Sequence, residues 1–423
     1  MKKTCLLCLM VLAAAFLARP AVGAEMGPVR VHGFVSLGYL YSGELNFLAD
    51  TKNGSFEFNE VGINFQSQPT DRLRLGMQIF SRDLGELGNN NVQLDWAVAD
   101  YSFSDEFGIR AGITKTPMGL SHDQIDLDMV RTTIFLPITV YNPRYRDVYM
   151  NVNGLNFYGR LPAGALGSFE YSASVGNNSS FDPGVFDQDW NWLGIDIEDA
   201  EIRLIYGGRL VWNTPLDGYM VGGSFFKCED FQVTGDMPPE LTAVIPGTGG
   251  LSLYPAGTKI NVHADELAIW HIFTQYNIDR LTMTGEVYRL IVDADVLSTR
   301  PYNNTVAAAI GHDGLGEDYT NYGGWYALLD YQATDWLALA LSYGEEYNIW
   351  DDPVGKDADG EHYRQFRRDT TVSARFNITS YWNLKLESHF IDGTHELKPG
   401  LQEDPDDINR YWNFYAAKTT FYF

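Results

Sequence analysis

The sequence predicts an all-β fold: a transmembrane antiparallel β-barrel of about 16 strands, with short periplasmic turns at one end and long extracellular loops at the other. Three observations predict it. Side-chain polarity alternates with period two along most of the chain. Short turns and long polar connections follow one another in strict alternation. Beyond the first residues no run reaches the ~18 apolar residues that a membrane-crossing helix needs, although the chain begins as an exported protein does.

The opening stretch, MKKTCLLCLMVLAAAFLARPAVGA, has Lys2 and Lys3, an apolar run from Leu6 to Ala18, and small residues at Val22 and Ala24. This is the pattern of a cleavable signal peptide over residues 1–24. Its apolar run is too short to span a bilayer. Cleavage would leave 399 residues, 25–423, as the barrel domain. It would also remove Lys2, Lys3 and Arg19, moving the formal net charge from -25 to -28. Cys5 and Cys8 leave with the leader and only Cys228 stays, which excludes a disulfide framework and a cysteine zinc cluster. The acidic balance argues against a nucleic-acid partner.

The alternation is seen segment by segment. In RLRLGMQIFSR, Leu73, Leu75, Met77 and Ile79 share one face, and Arg72, Arg74, Gln78 and Arg82 the other. In AEIRLIYGGRLVW, Ile202, Leu204, Tyr206, Leu210 and Trp212 oppose Arg203 and Arg209. In TTVSARFNIT, Val372, Ala374, Phe376 and Ile378 oppose Ser373, Arg375 and Asn377. In WNLKLESHF, Trp382, Leu384, Leu386 and Phe390 oppose Lys385, Glu387 and His389. A soluble sandwich also alternates. Long ionic side chains in mid-strand, however, fit a wet lumen, and aromatics near strand ends (Phe107, Trp212, Trp336, Trp382) fit interfacial girdles.

Tight turns are expected at 68–72, 104–106, 162–167, 214–218, 277–280, 334–336 and 379–382. Longer connections separate them, among them 178–201, 229–261, 296–319, 349–363 and 394–409. Seven turns and eight long connections make about sixteen strands, the first near Arg30–Tyr41 and the last near Tyr411–Phe423. The last one places Tyr415, Ala417, Thr419, Phe421 and Phe423 on one face and Ala416, Lys418, Thr420 and Tyr422 on the other. It would close the sheet against the first strand and so remove both edges. A terminal Phe after alternating aromatics also resembles the signal read by the outer-membrane assembly machinery, which marks Phe423.

RAGITKTPMGL, Arg110–Leu120, with LGMQIFSRD before it and NGLNFYGRL after it, resembles the phosphate-selective porin O/P family of Gram-negative bacteria. The resemblance implies a 16-stranded, homotrimeric diffusion channel of the outer membrane. It also implies that the long third connection, about residues 116–150, folds inward as a constriction. That segment holds Arg131, Arg144 and Arg146 beside Asp123, Asp126, Asp128 and Asp147, and Lys115 leads into it. These groups form the candidate pore constriction, either as a transverse field or as a salt-bridged plug. By strand phase, Arg74, Arg82, Arg110, Arg160, Arg203, Arg209, Arg375, Lys385 and Lys418 face the lumen, with Glu60, Asp95, Glu170, Glu286, Asp330, Glu346 and Glu387. Family members that select phosphate line the pore with rows of Arg and Lys. Here acids are mixed in, so passive diffusion of small hydrophilic solutes with a mild anion preference is expected. The alternatives are a specific uptake channel for phosphate, organic acids or sugars, or a barrel enzyme or adhesin.

No enzymatic motif is present: G-x-S-x-G, H-E-x-x-H and a phosphate-cradling glycine loop are all absent. No catalytic residue and no cofactor are expected. The net negative charge is concentrated in the outer loops, since 178–201 carries seven acids and neither Lys nor Arg. Such loops would need Ca²⁺ or Mg²⁺ between themselves and anionic lipopolysaccharide. KDADGE at 356–361 lacks the spacing of a calcium loop, so no protein-bound metal is assigned.

Overall fold

A computed structural model describes residues 27–85, 87–149, 151–178, 196–237, 251–300, 317–356, 361–404 and 408–423, together with Thr242 and Asn303. The signal-peptide assignment at 1–24 and most of the acidic 178–201 segment lie outside the described residues.

The chain forms sixteen strands: β1 Arg30–Tyr41, β2 Phe58–Ser67, β3 Leu73–Leu84, β4 Val92–Ser104, β5 Phe107–Lys115, β6 Asn151–Pro162, β7 Ser168–Asn178, β8 Asp196–Asn213, β9 Tyr219–Asp236, β10 Lys259–Ile278, β11 Leu281–Ser298, β12 Glu317–Gln332, β13 Leu337–Tyr347, β14 Phe366–Thr379, β15 Trp382–Asp392 and β16 Tyr411–Tyr422. Each pairs antiparallel with its sequence neighbours, and β1 pairs with β16 from Phe34 opposite Tyr422 to Tyr41 opposite Tyr415. The sheet is therefore a closed barrel, and all seven short turns fall where the sequence places them.

Period two sorts the side chains as a bilayer requires. Leu37, Leu155, Leu210, Ile272, Leu339, Val372 and Leu386 are exposed on the outer wall. Aromatic pairs ring the short-turn end: Phe103 with Phe107, Phe169 with Trp212, Trp336 with Phe376, and Trp382 with Phe421. Tyr41 stacks on Tyr415 at the other end. This apolar band with aromatic girdles is the surface of a membrane-spanning barrel. No helix among the described residues is long and apolar enough to cross a membrane.

Four strands depart from the expected layout. β8, β9, β10 and β11 have 18, 18, 20 and 18 residues, against the roughly 9–11 that a bilayer needs. The sequence reading assigns 178–201, 229–261 and 296–319 to loops, but Asp196–Glu201, Glu229–Asp236, Lys259–Asn261, Val296–Ser298 and Glu317–Tyr319 are paired strand. In these extensions the polarity is reversed. Ile202, Phe231, Val233, Ile260, Val262 and Ala264 are buried inside. Outside, Arg203 bonds to Glu201 and Asp230, His263 faces Asp230, and Lys227 lies near Glu229 and Glu266. A sheet rising above the bilayer meets water on its outer face, so the ionic side turns outward. Two irregularities carry the change of phase. The β7–β8 register shifts where Gly176 and Asn178 face Ile205 and Ile202, and the β10–β11 register shifts between Ala264 and Glu266. Arg203, expected on the lumen wall, is thereby moved to the outer surface.

Candidate pore constriction and lumen wall

Lys115 ends β5, and the segment Thr116–Tyr149 then crosses the barrel interior. It contains three single 3₁₀ turns, His122–Gln124, Asp128–Val130 and Pro143–Tyr145, and one α turn, Arg146–Tyr149. Asn142 caps the third by accepting from the Arg144 N–H, with Pro143 set at its first position. The entry bend needs Gly119, which has φ +58°. A Cβ there would lie 2.5 Å from a Glu286 carboxylate oxygen and 2.7 Å from the Tyr141 hydroxyl.

Wall side chains reach the segment from around the barrel. On the β3–β4 side, Arg146 is buried among three carboxylates: Asp126 at 2.8–2.9 Å, Asp95 at 2.8 Å and Asp147 at 2.5 Å. Lys115 joins Asp126 at 2.9 Å, and Arg82 joins Asp147 at 2.9 Å. Three cations thus balance three anions. On the β15–β16 side, Asp128 accepts from Lys385 at 2.9 Å and from Thr420 and Tyr422 at 3.0 Å, and Lys418 lies 3.4 Å away. Glu387 of β15 accepts from the Ile134 and Phe135 backbone N–H groups. Glu286 of β11 accepts from Tyr141, Tyr326 and the Leu120 N–H. Arg209 of β8 donates to Asp123, and Arg375 of β14 to the carbonyls of Met129 and Arg131.

The expected constriction arginines therefore do not line open water. Arg131 donates to the carbonyls of Ile125 and Ile134 and so fixes the segment's own shape. Arg144 is buried and helps Lys398, His395 and Arg367 hold Glu396 down at about 2, against burial that would raise it. Arg146 is a three-way anchor. The inward aromatics Trp412 and Phe414 are packed against Phe47 and lie beneath the segment.

Ionic groups open to water lie elsewhere. A cavity of about 490 Å³ borders β4–β8, with Arg110, Lys115, Arg160 and Arg209 facing Asp105, Asp123 and Glu170. Arg110 lies 4.1 Å over the Tyr158 ring and 3.3 Å from Asp100. Asp100 also takes Arg74 at 2.6 Å. The lumen residues expected from the sequence omit Asp100 and Arg367, although strand phase marks both. Arg367 shares a face with Asp369, Thr371 and Ser373, and its buried pair with Glu346 is 2.6 Å long.

Acid should leave this framework intact. Burial raises the Asp126 and Asp128 carboxyls, but Arg146 and Lys115 around the one, and Lys418, Lys385 and Arg131 around the other, hold both well below the usual range. A lowered folded-state pKa adds stability that is complete above the unfolded value of ~3.9 and is lost only as pH falls through the folded one. Near-UV circular dichroism, which reports Phe135, Tyr141 and Tyr145, should therefore be constant from about pH 8 down to about pH 4. A transition near pH 5 to 6 would show that the carboxylates are not held this way.

No protein-family model matches the chain, and no curated protein does. Among solved structures, the anion-selective porin of Comamonas acidovorans is similar over 94% of this chain and 99% of its own, at 11% identity and TM-score 0.54. Salmonella typhi OmpF, solved with daunomycin, covers 93% and 97% at 12% identity and TM-score 0.52. The outer membrane channel DcaP of Acinetobacter baumannii covers 93% and 97% at 11% identity and TM-score 0.51. At such identities the likeness is one of fold: the chain is a 16-stranded barrel of the porin type.

Proposed function

We propose that this chain is an outer-membrane porin of a Gram-negative bacterium, through which small hydrophilic solutes diffuse passively with a mild anion preference. One observation carries the reading: a closed membrane barrel holds a cavity of about 490 Å³ lined by ionic groups beside an inward-folded segment. Of its cations, Lys115 is committed to Asp126 and Arg209 to Asp123, while Arg110 and Arg160 keep 35% and 61% of their side-chain exposure, so an anion is weakly favoured beside these two. The ion preference is assigned to Arg110 and Arg160 rather than to the neutralised Arg131, Arg144 and Arg146. A homotrimer, contact with lipopolysaccharide through divalent cations, and Phe423 as an assembly signal belong to the same reading. The protein has no catalytic role in it.

Planar bilayers in a KCl gradient test it. Ohmic steps are expected, with a reversal potential on the anion side. The pair Arg110→Gln and Arg160→Gln should move that potential toward cation preference. Arg131→Gln should move it little, because its guanidinium is committed to backbone carbonyls. A protein without channel activity would overturn the reading. A specific uptake channel is the second reading, favoured by how many strands grip Thr116–Tyr149. Current block by a solute at low concentration would decide for it.

A further inference from the structure

The ionic interior is interrupted by an apolar cavity that diffusion of hydrophilic solutes does not use. It has about 240 Å³ and lies between the inner faces of β9–β12 and the crossing segment. Met118, Val148, Phe231, Val262, Leu267 and Val292 form much of its wall. It sits in the reversed-polarity part of the barrel, where β9, β10 and β11 turn aliphatic side chains inward. A benzene-binding apolar cavity measures ~150 Å³, so this one would take a fused two-ring molecule.

Its polar groups restrict the occupant further. Two buried imidazoles, His122 and His271, are part of the lining. His122 Nδ1 and His271 Nε2 are both buried and have no hydrogen-bond partner. Glu286 sets the state of His271. The carboxylate lies 2.9 Å from His271 Nδ1 and also accepts from Tyr141, Tyr326 and the Leu120 N–H. An ionised carboxylate only accepts, so Nδ1 carries the proton. Nε2 is then the ring's unpartnered nitrogen, and a hydroxyl, which can both donate and accept, is the group that suits it. Burial lowers His122 to about 3, so its ring is neutral at pH 7. The other charged lining groups are matched or acidic. Arg146 already serves three carboxylates, Glu346 is paired with Arg367 and Glu396 with Lys398, so among the described residues no free cation is left for an anionic occupant. The His271 ring lies between Tyr141 and Tyr288 at centroid distances of 6.3 and 5.7 Å, with interplanar angles of 26° and 25°.

We propose that this cavity is a binding site for a neutral aromatic molecule of one or two rings bearing a single hydroxyl, which hydrogen-bonds to His271 Nε2. The site lies beside the crossing segment and does not depend on the channel reading. 1-Naphthol is the probe, with naphthalene and 1-naphthoate as comparisons. Binding is measured by equilibrium dialysis on the full barrel in detergent, with protein-free micelles as the blank.

Saturable binding of one 1-naphthol per chain is expected, at least tenfold tighter than naphthalene or 1-naphthoate. Leu267→Trp, which fills the cavity, should weaken it at least tenfold. Ala264→Phe does the same from the neighbouring position, and boiled and unboiled gel migration shows that each variant is folded. Uptake no greater than that of micelles, or binding unchanged in both folded variants, would overturn the site. Equal binding of naphthalene would remove the His271 contact, and with it the proposal. The conductance measurement is separate: a chain that binds 1-naphthol but passes no ions refutes the channel and supports the site, and one that conducts without binding refutes the site alone.

Discussion

Replacing Arg146 by Met should free the crossing segment from the β3–β4 wall and enlarge the conductance step. The guanidinium is the central cation for Asp95, Asp126 and Asp147, which are themselves buried or nearly so. Without it, Lys115 and Arg82 remain against three carboxylates. Removing one member of a buried ion pair costs about 3–5 kcal/mol, because the partner is left charged in a poorly solvating site. If that cost falls on the seated state of the segment alone, its open population rises by roughly two to four orders of magnitude. The strand ladder is untouched, so the barrel should keep its heat-modifiable gel migration. Two readouts follow: larger single-channel steps, and trypsin cleavage within Thr116–Tyr149. The double variant with Asp126→Asn should recover part of the wild-type behaviour, since it removes one stranded anion. Identical conductance and identical protease resistance in Arg146→Met would show that the cluster does not hold the segment.

Deleting Phe423 should lower the amount of assembled barrel several-fold while leaving the conductance of the surviving molecules unchanged. Phe423 and Gly33 exchange backbone hydrogen bonds of 3.0 Å in both directions, the last pair of the β1–β16 seam. The ring is exposed at the short-turn interface and lies over Gly33, where a Cβ would meet it at 2.4 Å. Closure therefore depends on this residue at both main chain and side chain. The lumen does not, since Lys418 and Thr420 still face inward against Glu60 and Asp128. Phe423→Tyr should assemble normally and Phe423→Ala poorly, read as surface-exposed protein per cell. Normal surface levels for the deletion would exclude a role of the terminal ring in assembly.

Much of the lumen wall was legible in the sequence because strand phase is a local property. Arg74, Arg82, Arg110, Arg209, Arg375, Lys385 and Lys418 each find partners among inward groups or the crossing segment, at the positions that counting by two assigns. Arg203 escaped because β8 carries one extra residue between Ile202 and Ile205, opposite Gly176–Asn178 of β7, which shifts the count by one, and a bulge has no period of its own. The upper halves of β8–β11 escaped for a related reason. They alternate as well as any other strand, but with apolar side chains inward, and alternation says nothing about which face meets lipid, water or a lumen.

Strand number, the seven turns and closure by an aromatic last strand could all be read from the order of residues. These depend on pairing between chain neighbours and on turns a few residues long, so the information is local. The roles of the charges in Thr116–Tyr149 came only with the folded barrel. Asp128 meets Lys385 and Lys418 across more than 250 positions of chain, and Arg146 meets Asp95 from another strand. A set of three arginines and four aspartates reads equally well as an ion filter or as an anchor. Burial separates the two: charges that have left water must neutralise one another, and a charge so neutralised is no longer available to select a passing ion.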